Sequence, residues 1–337
     1  MRASATARRH LSHQDLESRF NGTAVDPSLS VGEVAIAVMR RNLEAFVARE
    51  PGTRVGEDPE ELHDMRVASR RMRAAIILFQ EALPVRALRL RDELGWVAQA
   101  LGAVRDLDVQ LEQLESWSKR DGGVDPTSLA ALRDLLDSER SDARRELLGV
   151  LDSPRYSRML DGTRRLLDGG PLRRPPAARA PIAVAGATLL RRRYRAMRRA
   201  GDRIGEEAAA EDYHRLRIRC KRLRYALEFL ADVYPGGAEP LIRRLVALQT
   251  LLGMQQDADV AVRRLEALAT REGGSLPPTT VFAMGMVAER NVDKGRELRA
   301  RFTKVYGRVR GRPWKKLRRV MKESASADLS MLAPEGR

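Results

Sequence analysis

The sequence predicts an all-α protein built as two helical bundles of similar topology, and three observations carry that prediction. No segment alternates apolar and polar residues with a period of two. Apolar residues instead recur at helical spacing, as at Val31, Val34, Ala35, Val38, Met39, Leu43 and Phe46. The third observation is an internal repeat: His63 to Pro84 reads HDMRVASRRMRAAIILFQEALP and His214 to Pro235 reads HRLRIRCKRLRYALEFLADVYP, each residue 151 positions from its match. The register extends without a gap on both sides. Val31 to Phe46 falls on Ile182 to Met197, and Leu101-Gly102 and Asp106 to Val109 fall on Leu252-Gly253 and Asp257 to Val260.

Taken in order, residues 1–29 lack the apolar stretch of a secretory signal and are expected to be a disordered arm. Ser30 is placed to cap a helix over Val31 to Arg49, which the Pro and Gly of EPGTRVGEDPEE should end. The first repeated helix follows and stops near Pro84. A third helix is expected over Arg86 to Leu101, broken around Gly102, with a fourth beginning at RDLDVQLEQLESW. Ser128 to Leu151 and Pro154 to Leu167 complete the first bundle, assigned to 30–168. The Pro- and Gly-rich stretch 169–181 reads as a linker. The second bundle is assigned to 182–323, including a long helix over Pro278 to Val305 and a last one over Arg312 to Lys322, and 324–337 to a flexible tail.

The chain has 337 residues, 43% of them apolar, enough for a sizeable core. Its formal charge of +16 calls for a polyanionic partner: nucleic acid, an anionic membrane surface or a phosphate polymer. Only seven of the 62 basic residues are lysines, so the charge is mostly arginine, which meets phosphate with paired donors. A GC-rich genome also raises arginine content, but it does not arrange arginines at helical spacing. No apolar run approaches the roughly 18 to 20 residues of a membrane span. A single cysteine forbids an internal disulfide and fits a reducing, cytoplasmic setting.

In a helix His63, Arg66, Arg70 and Arg73 fall within a stripe of about 80°, as do His214, Arg217, Lys221 and Arg224. Opposite them, Met65, Ser69, Met72, Ile76 and Phe79, and Leu216, Cys220, Leu223, Leu227 and Leu230, form faces suited to a core. Each stripe lays its charges along about 15 Å of helix, a shape that suits a thin linear polyanion. A charge run is usually just a solvated face. Yet no acidic residue lies between Met65 and Ala75 or between Tyr213 and Leu227.

These residues resemble a known family. HxxRVxxRRxR at His63, HxxRIxxKRLR at His214 and LGxxRDxDV at Leu101 are similar to the CHAD family, the conserved histidine α-helical domain, over Val31 to about Lys322. The resemblance implies a pair of four-helix bundles enclosing a basic channel that binds inorganic polyphosphate, with no catalysis by the domain itself, and so a part in targeting to or organising polyphosphate granules. Carried over by position, the contacts would be His63, Arg66, Arg70, Arg73, His214, Arg217, Lys221 and Arg224, with Arg40, Arg41, Arg191 and Arg192 as additions from the matching first helices. The halves differ at Arg105, whose counterpart is Gln256. Family members are often fused to a triphosphate-cleaving CYTH domain, whose ExExK signature is absent here.

No cofactor and no metal are expected. Two of the four histidines lie in the arm, and Asp106-Asp108 and Asp257-Asp259 read as helix caps and arginine partners rather than Mg²⁺ ligands. Neither stripe carries the base or metal carboxylate that phosphoryl transfer requires, so an enzyme is not expected. Nucleic acid is the rival partner, through the basic run GRVRGRPWKKLRRVMK, with weak nonspecific, salt-dependent binding. Against it, no helix-turn-helix, zinc-finger or RNP signature is present, and aromatics are only 4%. Nothing in the sequence sets the oligomeric state.

Overall fold

The computed structural model describes residues 26–118, 125–168, 175–205 and 207–332, and among these every extended element is helical. The described residues form ten helices, α1 (Val31–Val55), α2 (Pro59–Leu78), α3 (Arg86–Ser118), α4 (Ala130–Asp152), α5 (Pro154–Asp168), α6 (Ile182–Gly201), α7 (Ala210–Phe229), α8 (Glu239–Glu272), α9 (Pro278–Gly307) and α10 (Arg312–Leu332). Short 3-10 turns at Pro126–Leu129 and Pro176–Arg179 precede α4 and α6. The bounds of α2 and α7 lie 151 positions apart at both ends, and α1 and α6 start at the same offset. Within each half the second helix packs between the first and the third.

Several boundaries differ from the sequence expectation, each for a physical reason. The first helix does not end at Arg49 but continues through Pro51 to Val55, where Gly56 closes it in the left-handed region at φ 75°. Its last carbonyls are held from outside. Arg144 on α4 donates to the carbonyls of Thr53 at 3.3 Å and of Arg54 and Val55, both at 2.7 Å. The break expected at Gly102 does not occur, and α3 runs unbroken over 33 residues, as α8 does over 34. A helical glycine costs about 1 kcal/mol relative to alanine, too little to stop a helix packed on both sides. Asp106 and Asp257 therefore sit within long helices and not at helix starts. The last helix reaches Leu332, so 324–332 is helix rather than tail. Residues 1–25 of the expected arm, 169–174 of the linker and 333–337 of the tail lie outside the described residues. Residues 26–29 form a turn, with Leu29 N–H donating to the Asp26 carbonyl at 3.1 Å.

The apolar faces of α2 and α7 are buried as their periodicity implies, from Met65 to Phe79 and from Leu216 to Leu230. The main core is continuous across the two halves. A second cluster joins Leu107, Leu114 and Leu132 of the first half to Leu265, Leu268 and Met284 of the second. The two halves also meet at their first residues. Val31 N–H donates to the Ala180 carbonyl at 2.9 Å and Ile182 N–H to the Leu29 carbonyl at 3.0 Å, so each donor and acceptor is exchanged for its counterpart 151 positions away.

Close approach of α6 and α9 depends on Gly201, where a Cβ would overlap the ring of Tyr306. The Tyr306 hydroxyl donates to Asp202 Oδ1 at 2.7 Å, which fixes the ring where it is. Gly201→Ala should therefore destabilise the fold by about 1 to 3 kcal/mol, read as a lower midpoint in urea unfolding. An unchanged midpoint would show that the ring can move aside.

Candidate functional site

The cationic faces of α2 and α7 are set by the same packing that buries their apolar faces. With Met65, Met72, Leu216 and Leu223 in the core, the stripes must emerge where α2 and α7 pack against each other. Arg66 and Arg70 on α2 and Arg217, Lys221 and Arg224 on α7 form one electrostatic cluster. Arg66 and Arg70 both act on Lys221, Arg217 acts on Arg66, and Arg70 acts on Arg217. The Arg70 guanidinium stands 5.8 Å from the centre of the Tyr225 ring on α7, and that of Arg224 5.3 Å from it.

The neighbouring helices shape the wall. A Cβ on Gly102 of α3 would lie 3.5 Å from Arg66 Nε, and one on Gly253 of α8 would lie 4.0 Å from Arg217 Nε. A longer side chain at Gly102 would occupy the guanidinium's place. This is a spatial reason for Leu-Gly at both positions. One turn on, Asp106 stands 3.6 Å from Arg66, and Asp257 acts in the same sense on Arg217. Asp108 accepts from Arg140 at 2.6 Å, and Asp259 lies 3.7 Å from Arg299. Arginine is thus the ion-pair partner of Asp106, Asp108 and Asp259 and acts on Asp257 through charge alone, while Asp106 and Asp257 lie inside long helices rather than at the helix starts expected of caps. Among the described residues no group of three or more His, Cys, Asp or Glu side chains is placed to hold a metal ion.

The site concentrates positive charge without enough carboxylate to answer it. Lys221 is pushed down to about 7, by burial first and then by Arg70, Arg217, Arg66 and Arg224. His63 is pushed down to about 4, again by burial first, then by Arg105 and Arg70. Burial also lowers Arg66 and Arg217, although Asp106 and Asp257 oppose it. Buried nitrogens are left over: the Nε donors of Arg70, Arg73 and Arg217, and His63 Nδ1, a donor or an acceptor according to its tautomer, have no hydrogen-bond partner among the described residues, and the Arg224 Nε meets only Glu228, at 3.5 Å. An anion with several oxygen acceptors would satisfy these donors and reverse the repulsion among them.

The two histidines are not equivalent. His63 is half-buried beside Arg105, whereas His214 is exposed and its Nδ1 lies 2.8 Å from Oε1 of Gln256. Arg73 lies over Gly95, where a Cβ would approach its guanidinium to 3.4 Å. Arg224 is 3.5 Å from Glu228, which also receives Arg71. The arginines expected from the first helices are placed differently. Arg40 is turned to the end of α5, donating to the Leu167 carbonyl at 3.2 Å, and Arg192 pairs with Glu81 at 3.0 Å. Arg191 opens onto a cleft between α6 and α10. Arg41 is half-buried on α1. The paired positions 40/41 and 191/192 follow the repeat, but the structure does not bring Arg40, Arg191 or Arg192 to the cluster.

Two members of the site lie outside the residues that the stripes single out. Tyr225 reads as an apolar residue of α7, yet its hydroxyl is buried with no partner among the described residues, against Arg70 and Arg224. Arg105 lies outside the stripes but holds down His63, and only its mismatch with Gln256 hinted at a role.

The sequence profile of the CHAD domain matches residues 37–266. The chain belongs to the CHAD family. A crystal structure of the CHAD domain from the plant Ricinus communis superposes with a TM-score of 0.71 at 29% identity, covering 86% of this chain and 96% of that one. PptA from Streptomyces chartreusis shares the fold, with a TM-score of 0.66 at 20% identity over 82% of this chain and 99% of its own. Two uncharacterized Mycobacterium tuberculosis proteins, from strains CDC 1551 / Oshkosh and ATCC 25618 / H37Rv, are each 28% identical over 241 residues, 69% of this chain. The match spans 44% of the length of those two relatives.

Proposed function

We propose that this CHAD protein binds inorganic polyphosphate, without cleaving it, in a basic channel between α2 and α7, and that it does so in the cytoplasm in association with polyphosphate granules. One observation supports the reading above all: the stripes of two helices meet in a half-buried cluster of cations, in which the buried Nε donors of Arg70 and Arg217 have no hydrogen-bond partner among the described residues. A linear chain of phosphates offers acceptors at close intervals along a line, which a single phosphate does not. Holding rather than hydrolysis fits the carboxylates present, since Asp106 is engaged by Arg66 and Asp108 by Arg140. Membership of the CHAD family supports the same ligand class.

A nucleic-acid surface is the second reading, favoured by the exposed basic residues of α10, among them Arg312, Lys315, Lys316, Arg318 and Arg319. Competition between long-chain polyphosphate and duplex DNA separates the two. At equal phosphate and salt concentration polyphosphate should bind more tightly and DNA should displace it poorly, because a duplex is too wide to enter between two packed helices. Equal affinity with ready displacement would mean an open nucleic-acid surface.

A further inference from the structure

We propose that the cleft between α6 and α10 is a second anion site, separate from the α2–α7 cluster, that takes a short linear oligophosphate. The cleft has a volume of about 680 Å³ and is lined by Arg191, Arg195, Arg199 and Arg318 around Tyr194 and Trp314. Among the described residues its one lining carboxylate, Asp202, is already engaged: it accepts from Arg198 at 2.9 Å and from the Tyr306 hydroxyl at 2.7 Å. None of the four arginines named has a carboxylate partner among the described residues. On α6, Arg191, Arg195 and Arg199 follow one another at four-residue spacing, so their donors spread over about 12 Å of one helix face. Arg318 faces them from α10, one turn beyond Trp314. A ligand gripped from both sides must be thin, and one that reaches all four guanidinium groups must be extended and multiply charged.

The aromatic pair belongs to the cleft's construction. Tyr194 stacks on Trp314 with ring centres 3.9 Å apart and planes 6° from parallel, pinning α10 against α6 and holding the two sets of arginines at a fixed separation. One face of Trp314 is covered by Tyr194 and is closed to a nucleobase. That favours a bare phosphate chain over a nucleotide or single-stranded nucleic acid. The basic run around Trp314 thereby gains a role distinct from that of the α2 and α7 stripes.

The inference does not depend on the ligand of the α2–α7 cluster, and one titration tests the two apart. Tripolyphosphate is titrated calorimetrically into the full chain, into Arg195→Ala/Arg318→Ala and into Arg70→Ala/Lys221→Ala. The expected result is two classes of site in the unaltered protein. The cleft variant should keep only one, its lost site weakened about a hundredfold or more, since each charge-assisted contact is worth about a factor of ten or more. The arginines replaced in that variant are exposed, so its melting temperature should not change. Trp314 fluorescence, isolated as the signal lost in Trp314→Phe, should respond in the Arg70→Ala/Lys221→Ala variant and not in the cleft variant. Identical isotherms for the cleft variant and the unaltered protein would overturn the second site and leave the α2–α7 reading standing. Loss of all binding in the cleft variant alone would uphold the cleft and overturn the cluster as a phosphate site. Displacement of tripolyphosphate from the cleft by duplex DNA at equal phosphate concentration would make it part of a nucleic-acid surface and end the proposal.

Discussion

Arg70→Ala/Lys221→Ala should lower affinity for long-chain polyphosphate by about a hundredfold or more at moderate salt. Each removed group supplies charge-assisted hydrogen bonds worth roughly 1.5 to 3 kcal/mol, and the two stand on facing helices of one cluster, so no other side chain replaces both. The salt dependence should flatten as well. Each lost phosphate contact releases fewer counterions, and the logarithmic slope should fall by something like the 0.7 to 0.9 per contact known for nucleic acids. Duplex DNA, held only by the outer surface, should lose little. The measurement is a set of polyphosphate and DNA titrations at three or more salt concentrations. A parallel loss for both ligands would place the two residues on a shared outer surface and end the channel reading.

A Lys221→Arg variant should retain polyphosphate affinity while losing its pH dependence above neutrality. In the empty protein Lys221 is held at about 7 by burial and by Arg70, Arg217, Arg66 and Arg224. A bound polyanion favours the charged amine, so the bound value is higher and binding takes up a proton between the two. Affinity is therefore full below about 7 and declines as pH rises above it. Arginine stays charged throughout and removes the decline. His63, held at about 4 when the site is empty, follows the same sign in a lower window: its contribution is full below about 4 and fades as pH rises toward the bound value. His63→Gln should flatten only that lower limb.

The same lysine affects stability in the opposite sense. Its folded value lies below the unfolded one, so from about 7 up to 10.5 the unfolded chain binds more protons and stability rises with pH; below about 7 the penalty is fully present. Lys221→Met should stabilise the empty protein near pH 6 by about 1 to 3 kcal/mol while weakening binding. Urea unfolding of both proteins at pH 6 and pH 9.5 reads this directly. An equal stability difference at the two pH values would show that Lys221 is not the group responsible.

Much of this architecture is legible in the chain because helical periodicity records burial. Met65, Met72, Leu216 and Leu223 had to face a core, and that alone turned Arg66, Arg70, Arg217 and Lys221 together toward the other side. Structure and sequence expectation part where a local signal is overruled by a distant partner. Pro51-Gly52 looks like a helix end, but the true end lies at Gly56, where Arg144 reaches across from α4. Gly102 looks like a break, yet it is room for an arginine from another helix. Arg40 and Arg192 satisfy the repeat but belong to Asp168 and Glu81, pairings set by tertiary placement that no spacing reveals. Tyr225 was hidden for the converse reason, since its burial reads as apolar while its hydroxyl ends among arginines.

The exchanged pair of hydrogen bonds at Leu29–Val31 and Ala180–Ile182 is the contact two separate copies of one half would make across a two-fold axis. In such a dimer both copies carry the same residues, so whatever stands beside one histidine stands beside the other. Covalent continuity removes that constraint. Here one histidine sits half-buried beside Arg105 and its counterpart lies exposed against Gln256, a difference in surroundings that no homodimer of the half-chain could hold. Under the proposed binding mode, a polymer with no polarity of its own would meet a different neighbour at each histidine.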